Sequence, residues 1–444
     1  MALCRDSILL GEAAGGDRYI NIGFRNYWET LMTGKSLDMG SPKKNHGFQM
    51  RTLTIDDLKA FNELLRYVFQ VTNHDLHKIG WNEEEIEREK RPILEAAHVL
   101  GWFDHDKLIS QIAIYPMKVN IHGVIYNMGG LTGVGTYPEY AQHGLAKSLI
   151  MQGLLEMKAR GQTISYLYPY SIPYYRKKGW EIINDQIKYT IPDHKLPRIT
   201  EVSGYVRRDH AEGDIIKAVY QKFAEQQHGA LIRGSLEWQE YWRWDQDDLR
   251  AAVYYDQNDQ PAGYVLYYIA NDIFQIKDMI YLDEDGRRGL WNYISAHQSM
   301  VEKVIGWRYT NDPLAFLLDD SEITEEISPY YMARIIDVEK FLKFYPFQSP
   351  VNATSLSFIV RDDLLNDNNG VFTVEWLDDG TTNITRKKSC HEARMSIQTL
   401  VSLLMNYRRP SYFYKVERLR ADPQVVDLLE MIIPRNEPFF SDYF

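Results

Sequence analysis

One stretch of this chain, residues 133–150, has the pattern of a strand, a tight turn and a helix that begins at Gly144, and it constrains the fold more than any other segment. Apolar residues recur at helical spacing after Gly144, and Gly161 stands where the helix is expected to end. The first N–H groups of a helix have no partner inside it and carry the positive end of its dipole. The pattern therefore predicts a backbone anion site, and the alternative is an ordinary capped surface helix. The residues of this helix start are Gln142, His143, Gly144, Leu145 and Ala146.

Strand patterns precede this segment. Residues 108–113 and 117–121 alternate or cluster like strands, His122-Gly123 predicts a turn, and the alternation continues over residues 124–128. This pattern predicts a meander of antiparallel strands that runs into a further strand at residues 131–136. That last strand contains glycines, which inside a strand are typical of a bulge or of a close approach to another backbone. A dinucleotide-binding interpretation does not fit, because these glycines lie within a strand and are followed by a Tyr-Pro pair rather than by a helix.

Residues 164–168 form another apolar strand pattern, and the segment after them predicts a short helix stopped at Gly179. Here the chain resembles the GNAT superfamily of acyltransferases. Residues 141–146 match that family's R/Q-x-x-G-x-G/A coenzyme A motif at all but the first position. Residues 174–180 match its later F-Y-x-x-x-G-F/Y segment, and the two motifs occur in the family's order.

The resemblance implies acetyl-CoA as co-substrate and no metal, with the pyrophosphate on the helix start. Ala141 stands where the family has Arg or Gln, so a side-chain contact to a phosphate is missing or is supplied by Gln142 or His143. The amides of the pantetheine arm need main-chain partners, as another strand would, which indicates the backbone of residues 131–136. The implied cofactor-binding residues are Val134, Thr136, Gln142, His143, Gly144, Leu145, Ala146 and Ser171.

The same resemblance implies that Tyr175 is the general acid. A phenol near the sulfur can donate its proton as the C–S bond breaks, provided that it lies within hydrogen-bond reach. Tyr174 is the neighbouring alternative if the alignment is off by one. The simpler interpretation is that Tyr175 is one of 31 tyrosines and packs in the core. The motif favours the assignment of Tyr175 as the general acid.

Composition excludes several classes of protein. Hydrophobic residues make up 45% of the chain and charged residues 25%, which indicates globular domains, and no apolar run is long enough to cross a bilayer. The formal charge of −11 argues against nucleic-acid binding. Cys4 and Cys390 are the only cysteines, so we expect neither a disulfide framework nor a cysteine zinc site, and a cytoplasmic location.

A second segment, residues 285–291, repeats the pattern of the helix start. Gly289 takes the place of Gly144, and Trp291 takes that of the small Ala146. An indole at that position would block an anion. We therefore predict a second acetyltransferase-like domain that has lost its cofactor, and the alternative is an unrelated α/β domain with an accidental match.

The layout of the chain extends the resemblance. After residue 337, helix and strand patterns mix as in an α+β domain. An acetyltransferase domain, a degenerate copy and a sterol-carrier-like domain form the layout of the Eis (enhanced intracellular survival) acetyltransferases, which the chain resembles from Met50 to Phe444. The expected fold class is therefore α/β and α+β, with two tandem GNAT-like domains followed by a sterol-carrier-protein-like domain. The predicted ranges are 1–49 for an N-terminal extension outside the core, 50–194 for the catalytic domain, 195–335 for the degenerate domain and 336–444 for the C-terminal domain.

In Eis proteins the terminal carboxylate acts as the base, so the resemblance implies that role for Phe444. It also implies an acceptor amine on a polyamino small molecule such as an aminoglycoside, and a homo-oligomer, a hexamer. Asp75, Glu83 and Asp442 are candidates for an acidic pocket that favours entry of a cationic amine, but each is interpreted as an ordinary solvated carboxylate and left outside the predicted site. Two alternatives stay open, which are a non-catalytic acyl-CoA or lipid-binding protein and an acetyltransferase that acts on protein amines.

Overall fold

The structure is a computed structural model, and it describes residues 47–72, 83–242, 248–309, 314–348, 355–377 and 381–444; of residues 83–89 it describes the backbone alone. These residues form three β-sheets with helices packed against them. Residues 1–46, most of the predicted N-terminal extension, lie outside the described part, and so does Asp75.

The first sheet has seven strands in the order β1-β2-β3-β4-β5-β14-β6. Its first five strands follow the chain, and β14, from a distant segment, is inserted between β5 and β6. The strands are β1 (Gln49–Thr52), β2 (His98–Asp104), β3 (Lys107–Ile121), β4 (Val124–Thr136), β5 (Ile164–Leu167), β6 (Glu181–Ile182) and β14 (Met332–Ile335).

The predicted meander is one long antiparallel hairpin of β3 and β4. Its turn lies at His122 (φ 49°) and Gly123 (φ 92°), and two successive positive φ angles match the twist of a tight hairpin. The predicted bulge is present at Gly133 (φ 60°), where the register between the two strands shifts. The bulge bends β4 away from its regular pairing.

Helices cover both faces of this sheet. The third helix fulfils the sequence prediction, because it begins directly after Gly144 and buries one apolar face, including Leu149, Leu154 and Met157, against the sheet. Among the described residues, the helices of this domain are α1 (Leu58–Val68), α2 (Glu83–Ala96), α3 (Leu145–Ala159) and α4 (Ile172–Arg176).

The second sheet also has seven strands, in the order β13-β7-β12-β11-β10-β9-β8. Its core contains Leu290, Trp291 and Ile294 from a helix that packs on it. The strands are β7 (Asp185–Pro192), β8 (Tyr205–Asp209), β9 (Arg250–Tyr255), β10 (Pro261–Ala270), β11 (Ile273–Tyr281), β12 (Lys303–Arg308) and β13 (Thr324–Pro329), and the helices are α5 (Asp214–Gln226), α6 (Ser235–Trp242) and α7 (Glu284–Ser295).

The two sheets exchange strands. β7 falls inside the predicted range 50–194 but pairs in the second sheet, and β14 falls inside 195–335 but pairs with β5 and β6 in the first. β14 is fully buried, and its insertion satisfies the backbone groups that β5 would otherwise leave unpaired in the core. Sheet membership therefore departs from chain order at these two strands, and the domain ranges themselves stay a prediction.

The C-terminal part forms a four-stranded sheet in the order β17-β16-β15-β18, with helices on it. This is the predicted α+β arrangement. None of the helices in the described ranges is long and apolar enough to cross a membrane. The elements are α8 (Val338–Phe344), β15 (Ser355–Arg361), β16 (Gly370–Trp376), β17 (Thr382–Thr385), β18 (Glu392–Ser396), α9 (Ile397–Leu404), α10 (Pro410–Lys415) and α11 (Pro423–Ile432).

A buried ion pair joins the first sheet to the C-terminal domain. The guanidinium of Arg334 on β14 donates to Asp362 after β15 at 2.5 Å, and both side chains are almost fully buried. Arg334 also donates to the carbonyl oxygen of Lys178. Removal of one partner would leave the other charge buried without compensation.

We predict that Asp362→Ala lowers the free energy of unfolding by about 3–5 kcal/mol, because Arg334 loses its buried carboxylate. Urea titration followed by tryptophan fluorescence measures the change. Asp363→Ala is the matched control, since Asp363 pairs with Arg361 at the exposed surface and should cost about 0–1 kcal/mol. Equal effects of the two substitutions would contradict the prediction.

Candidate active site

The start of α3 has the backbone geometry of an anion site. Gly144 is the residue before the helix and has φ 75°, and Gln142 also lies in the left-handed region with φ 66°. Consecutive N–H groups from Gln142 to Lys147 donate to no acceptor among the described residues. Such a turn before a helix forms a concavity of amides that binds anions. Glycine at 144 is required by its positive φ rather than by crowding, because a Cβ there would meet nothing within 4 Å.

The predicted residues of this helix start differ in their side-chain environment. Gln142 and His143 are exposed, and the His143 ring lies 3.0–3.1 Å from the carbonyl oxygens of Tyr140 and Ala141. Leu145 is buried in the core beneath α3, so only its backbone faces the site. Any contact from these residues to an anion is therefore mainly a backbone contact.

Lys147 lies in the first turn of α3, and its charge and that of Lys177 act on Lys178; sequence reasoning had not selected these three lysines. Burial, and then the charges of Lys147 and Lys177, lower the pKa of Lys178 to about 8. The ammonium group of Lys178 lies 3.2 Å from the centre of the Tyr174 ring. The basic run Arg176-Lys177-Lys178 was visible in the sequence, but its approach to Lys147 on α3 was not. The three positive charges raise the local potential for an anion.

The edge of β4 is open beside this loop. β4 pairs in parallel with β5 over residues 128–130 only, and the described residues place no strand on that edge from residue 131 to 136. The main-chain groups of Val134 and Thr136 belong to this open segment, while the Thr136 hydroxyl contacts Ser110 at 2.7 Å. An extended amide chain can pair with such an edge as a strand would.

Tyr175 lies on α4, directly after β5, in an apolar setting. It is 7% exposed and packs edge-on against Trp180, with ring centres 6.2 Å apart. Burial raises the pKa of the Tyr175 hydroxyl above its usual value, so the group stays protonated at neutral pH. Tyr174 is less buried, and burial raises its pKa as well. Ser171 is the residue before α4, and its side chain forms no cap hydrogen bond.

The last residues of the chain enter the first domain where β4 and β5 separate. The Phe444 ring lies against Gly130, where a Cβ would come within 2.8 Å of the ring. The Phe444 N–H donates to the Tyr331 hydroxyl at 3.2 Å, and the Tyr115 ring centre lies 6.0 Å away. The structure thus brings Phe444 to the fork between the two strands, and only glycine at 130 leaves room for it.

The interpretation of Asp442 as a solvated carboxylate is wrong. Its side chain is buried and accepts a hydrogen bond from Arg233 at 2.7 Å. Arg233 comes from the second domain, which sequence patterns could not connect with the end of the chain. The side chain of Glu83 lies outside the described part.

The predicted match between Gly289 and Gly144 is also wrong. α7 begins at Glu284, so Gly289 and Trp291 lie inside the helix, where Trp291 packs in the core and Gly289 lets the helix approach the ring of Tyr254. The start of α7 is instead capped by Asp283, whose carboxylate accepts from the Gly286 N–H at 2.7 Å. This carboxylate, not an indole, opposes an anion at the second helix. The described residues contain no group of three or more side chains arranged to hold a metal.

Three parts of the chain match known domain families. Residues 49–183 and residues 229–335 each match an acetyltransferase (GNAT) domain, and residues 338–441 match a sterol carrier protein domain. The protein is therefore an acetyltransferase of the GNAT superfamily with two such domains in tandem. The order of its domains and its relatives make it an Eis-like member, as the sequence predicted.

The relatives span most of the chain. N-acetyltransferase Eis of Mycobacterium tuberculosis is 22% identical over 349 residues, which cover 74% of this chain and 83% of that protein. A probable N-acyltransferase of unknown function from Enterococcus faecalis superposes with a TM-score of 0.81 at 27% identity, covering 89% of this chain and 99% of that one. Eis1 from Mycobacterium abscessus shares the fold, with a TM-score of 0.73, 17% identity and coverage of 89% and 100%.

We predict that removal of one neighbouring charge, by Lys177→Ala or Lys147→Ala, raises the pKa of Lys178 above about 8, because like charges disfavour its protonated form. NMR titration of the ¹³C-methylated lysines measures this pKa. Lys158→Ala is the matched control, since Lys158 lies at the far end of α3 and pairs with Asp367. An unchanged Lys178 pKa in both variants would contradict the clustering.

Proposed function

We propose that the protein transfers an acetyl group from acetyl-CoA to an amine of a polyamino small molecule such as an aminoglycoside. The observation that carries the proposal is the continuity of three features, which are the amides at the start of α3, the open edge of β4 and the Phe444 ring in the fork. The amides at the start of α3 suit the pyrophosphate of acetyl-CoA, and the open edge of β4 suits its extended amide arm. The fork next to Phe444 is then the place for the reacting thioester. The net charge of −11 is permissive for a cationic acceptor.

The residues that would hold acetyl-CoA fit its chemistry. The backbone of Gln142 through Ala146 would bind the pyrophosphate, and Lys147, Lys177 and Lys178 would add charge there. Main-chain groups of Val134 and Thr136 would pair with the pantetheine amides, and Ser171 would contact the tail. The missing Arg or Gln at Ala141 removes a side-chain contact but none of the backbone contacts.

Acetyl transfer needs a neutral amine, a polarised thioester and a proton for the departing sulfur. When bound, acetyl-CoA supplies the acyl carbon, which forms a bond to the amine nitrogen while its bond to sulfur breaks. The Tyr175 hydroxyl would donate the proton that the sulfur takes up, and the Phe444 carboxylate would accept the proton that the amine loses. Both residues are largely buried, which would limit the access of water to the two transfers.

The GNAT domains favour catalysis over the binding-only alternative. The acceptor class is tested directly by a panel of amines with acetyl-CoA and a thiol-detecting reagent. We expect coenzyme A release with polyamines such as tobramycin and spermine. Release only with lysine-containing peptides would favour a protein acceptor, and release with none of these amines would contradict the proposed function.

We also propose a cytoplasmic homo-oligomer, a hexamer by the family resemblance. Light scattering coupled to size-exclusion chromatography measures the assembled mass, and a monomer at working concentration would contradict this part of the proposal. Localisation of a fusion at residue 1, where the C-terminal segment stays untouched, tests the compartment.

We predict that Gly144→Glu abolishes acetyl-CoA binding, because it puts a carboxylate against the amides and strains a positive φ. Gly161→Glu is the matched control, since Gly161 also has φ 75° but lies beyond the other end of α3. Calorimetry should give one site per chain in the parent and in Gly161→Glu, and none in Gly144→Glu. Two equivalent sites per chain would mean that α7 also binds the cofactor.

We predict that Tyr175→Phe leaves acetyl-CoA affinity near the parental value and lowers the chemical rate by about a hundredfold, since the lost proton donor acts only as the thiolate departs. Tyr174→Phe, the adjacent phenol, is the control. Single-turnover rates at saturating acetyl-CoA measure the effect. A parental rate in Tyr175→Phe with a loss in Tyr174→Phe would move the acid to Tyr174.

A further inference from the structure

The end of the chain is tied to the second domain by an ion pair buried from solvent. Arg233 lies between α5 and α6, and its Nε donates to Asp442 Oδ1 at 2.7 Å. The exposed fraction is 0% for the arginine side chain and 5% for the aspartate. The Tyr220 hydroxyl lies 3.2 Å from the second carboxylate oxygen and 2.9 Å from the carbonyl oxygen of Leu231, so these two acceptors share its one proton. Both oxygens of Asp442 thus contact residues of a domain whose helix α7 is closed to an anion.

Asp442 is the carboxylate that accepts a hydrogen bond from the guanidinium, and Arg233 also acts electrostatically on the carboxylates of Glu237 and Asp278. The central carbon of the guanidinium lies 3.7 Å from the ring centre of Tyr220 and 3.9 Å from that of Tyr241. Its two terminal nitrogens are buried and have no hydrogen-bond partner within the described part of the chain. Such a group is stable as an ion only beside a carboxylate. One hydrogen bond and the packing of the guanidinium against the two rings therefore hold Arg233 beside Asp442.

Two further hydrogen bonds connect the segment from Asp442 to Phe444 with the first sheet. The carbonyl oxygen of Asp442 accepts from the Tyr330 hydroxyl at 2.9 Å, and the N–H of Phe444 donates to the Tyr331 hydroxyl at 3.2 Å. Both tyrosines directly precede β14, the strand inserted beside β5. The segment is clamped between Arg233 on one side and the first sheet on the other.

We propose that Arg233 is a positioning residue for acetyl transfer, and that it acts through Asp442 to hold Phe444 in the fork between β4 and β5. The inference rests on the proposed function, in which the Phe444 carboxylate accepts the amine proton. The second acetyltransferase-like domain then takes part in catalysis without a cofactor of its own. A displacement of about 1 Å at a reacting group can cost about a hundredfold in rate.

The test compares single-turnover rates with acetyl-CoA and tobramycin, corrected for the folded fraction by acetyl-CoA binding stoichiometry. Arg233→Met should lower the rate by about a hundredfold, with Arg233→Lys in between, and acetyl-CoA affinity should stay near the parental value. Because Arg233→Met strands a buried carboxylate and can unfold the protein, Tyr330→Phe is the milder variant. It should lower the rate by about two- to tenfold, the effect of one lost hydrogen bond.

Tyr126→Phe is the matched control, because the buried Tyr126 hydroxyl donates to the carbonyl oxygen of Phe341 at 3.1 Å, away from the fork. A purely structural role predicts equal losses of melting temperature and unchanged rates in both tyrosine variants, and that result would overturn the inference. Parental rates in Tyr330→Phe and Arg233→Lys would overturn it as well. An inactive parent enzyme would instead overturn the proposed function, which separates the two failures.

Discussion

The separation of β4 from β5 is the constraint on which the site depends. Two parallel strands that stayed paired along their full length would leave neither a free edge nor a fork. Here the pairing stops after Gly130, and the bulge at Gly133 bends β4 away. The crossover helix α3 joins the two strands, so its first turn necessarily opens beside the free edge. The edge, the amides and the fork are consequences of one interrupted ladder.

Burial of charge holds the other parts of the molecule around this fork. Arg334 binds Asp362 between the first sheet and the C-terminal domain, and Arg233 binds Asp442 between the second domain and the end of the chain. Burying either pair carries a large desolvation penalty, and removing one partner of either pair destabilises the folded protein. Each pair ties one carboxylate to a distant segment, since Asp362 and Asp442 are the acidic residues that these buried guanidiniums contact.

Local sequence patterns correctly predicted the features that depend on neighbouring residues alone. The start of α3 follows from Gly144 and the helical spacing after it, and the turn at His122-Gly123 and the bulge at Gly133 follow from glycine in strand patterns. The predictions that failed needed contacts between distant segments. The burial of Asp442 depends on Arg233, more than 200 residues away in the chain. The strand β14 has only four residues, and nothing within them indicates which sheet they join.

The second helix shows how a motif misleads when its place on the helix is unknown. A Gly-Leu pair matches at Gly289, but the capping residue Asp283 sets the helix start earlier. A capping aspartate before an acidic first turn, Glu284 and Asp285, was the signal that could have corrected the alignment. The site residues carried over from the resemblance stay predictions, although their backbone setting agrees with the roles assigned to them.

The most direct measurement concerns the carboxylate of Phe444. A short peptide added after Phe444 converts that carboxylate into an amide and moves the new terminal charge away from the fork, whereas the same peptide at residue 1 leaves the fork untouched. With acetyl-CoA and tobramycin, we expect activity to fall by about a hundredfold or more only in the C-terminally extended protein, with acetyl-CoA affinity near the parental value in both. Full activity in the C-terminally extended protein, shown by mass spectrometry to be uncleaved, would contradict a catalytic role of the Phe444 carboxylate.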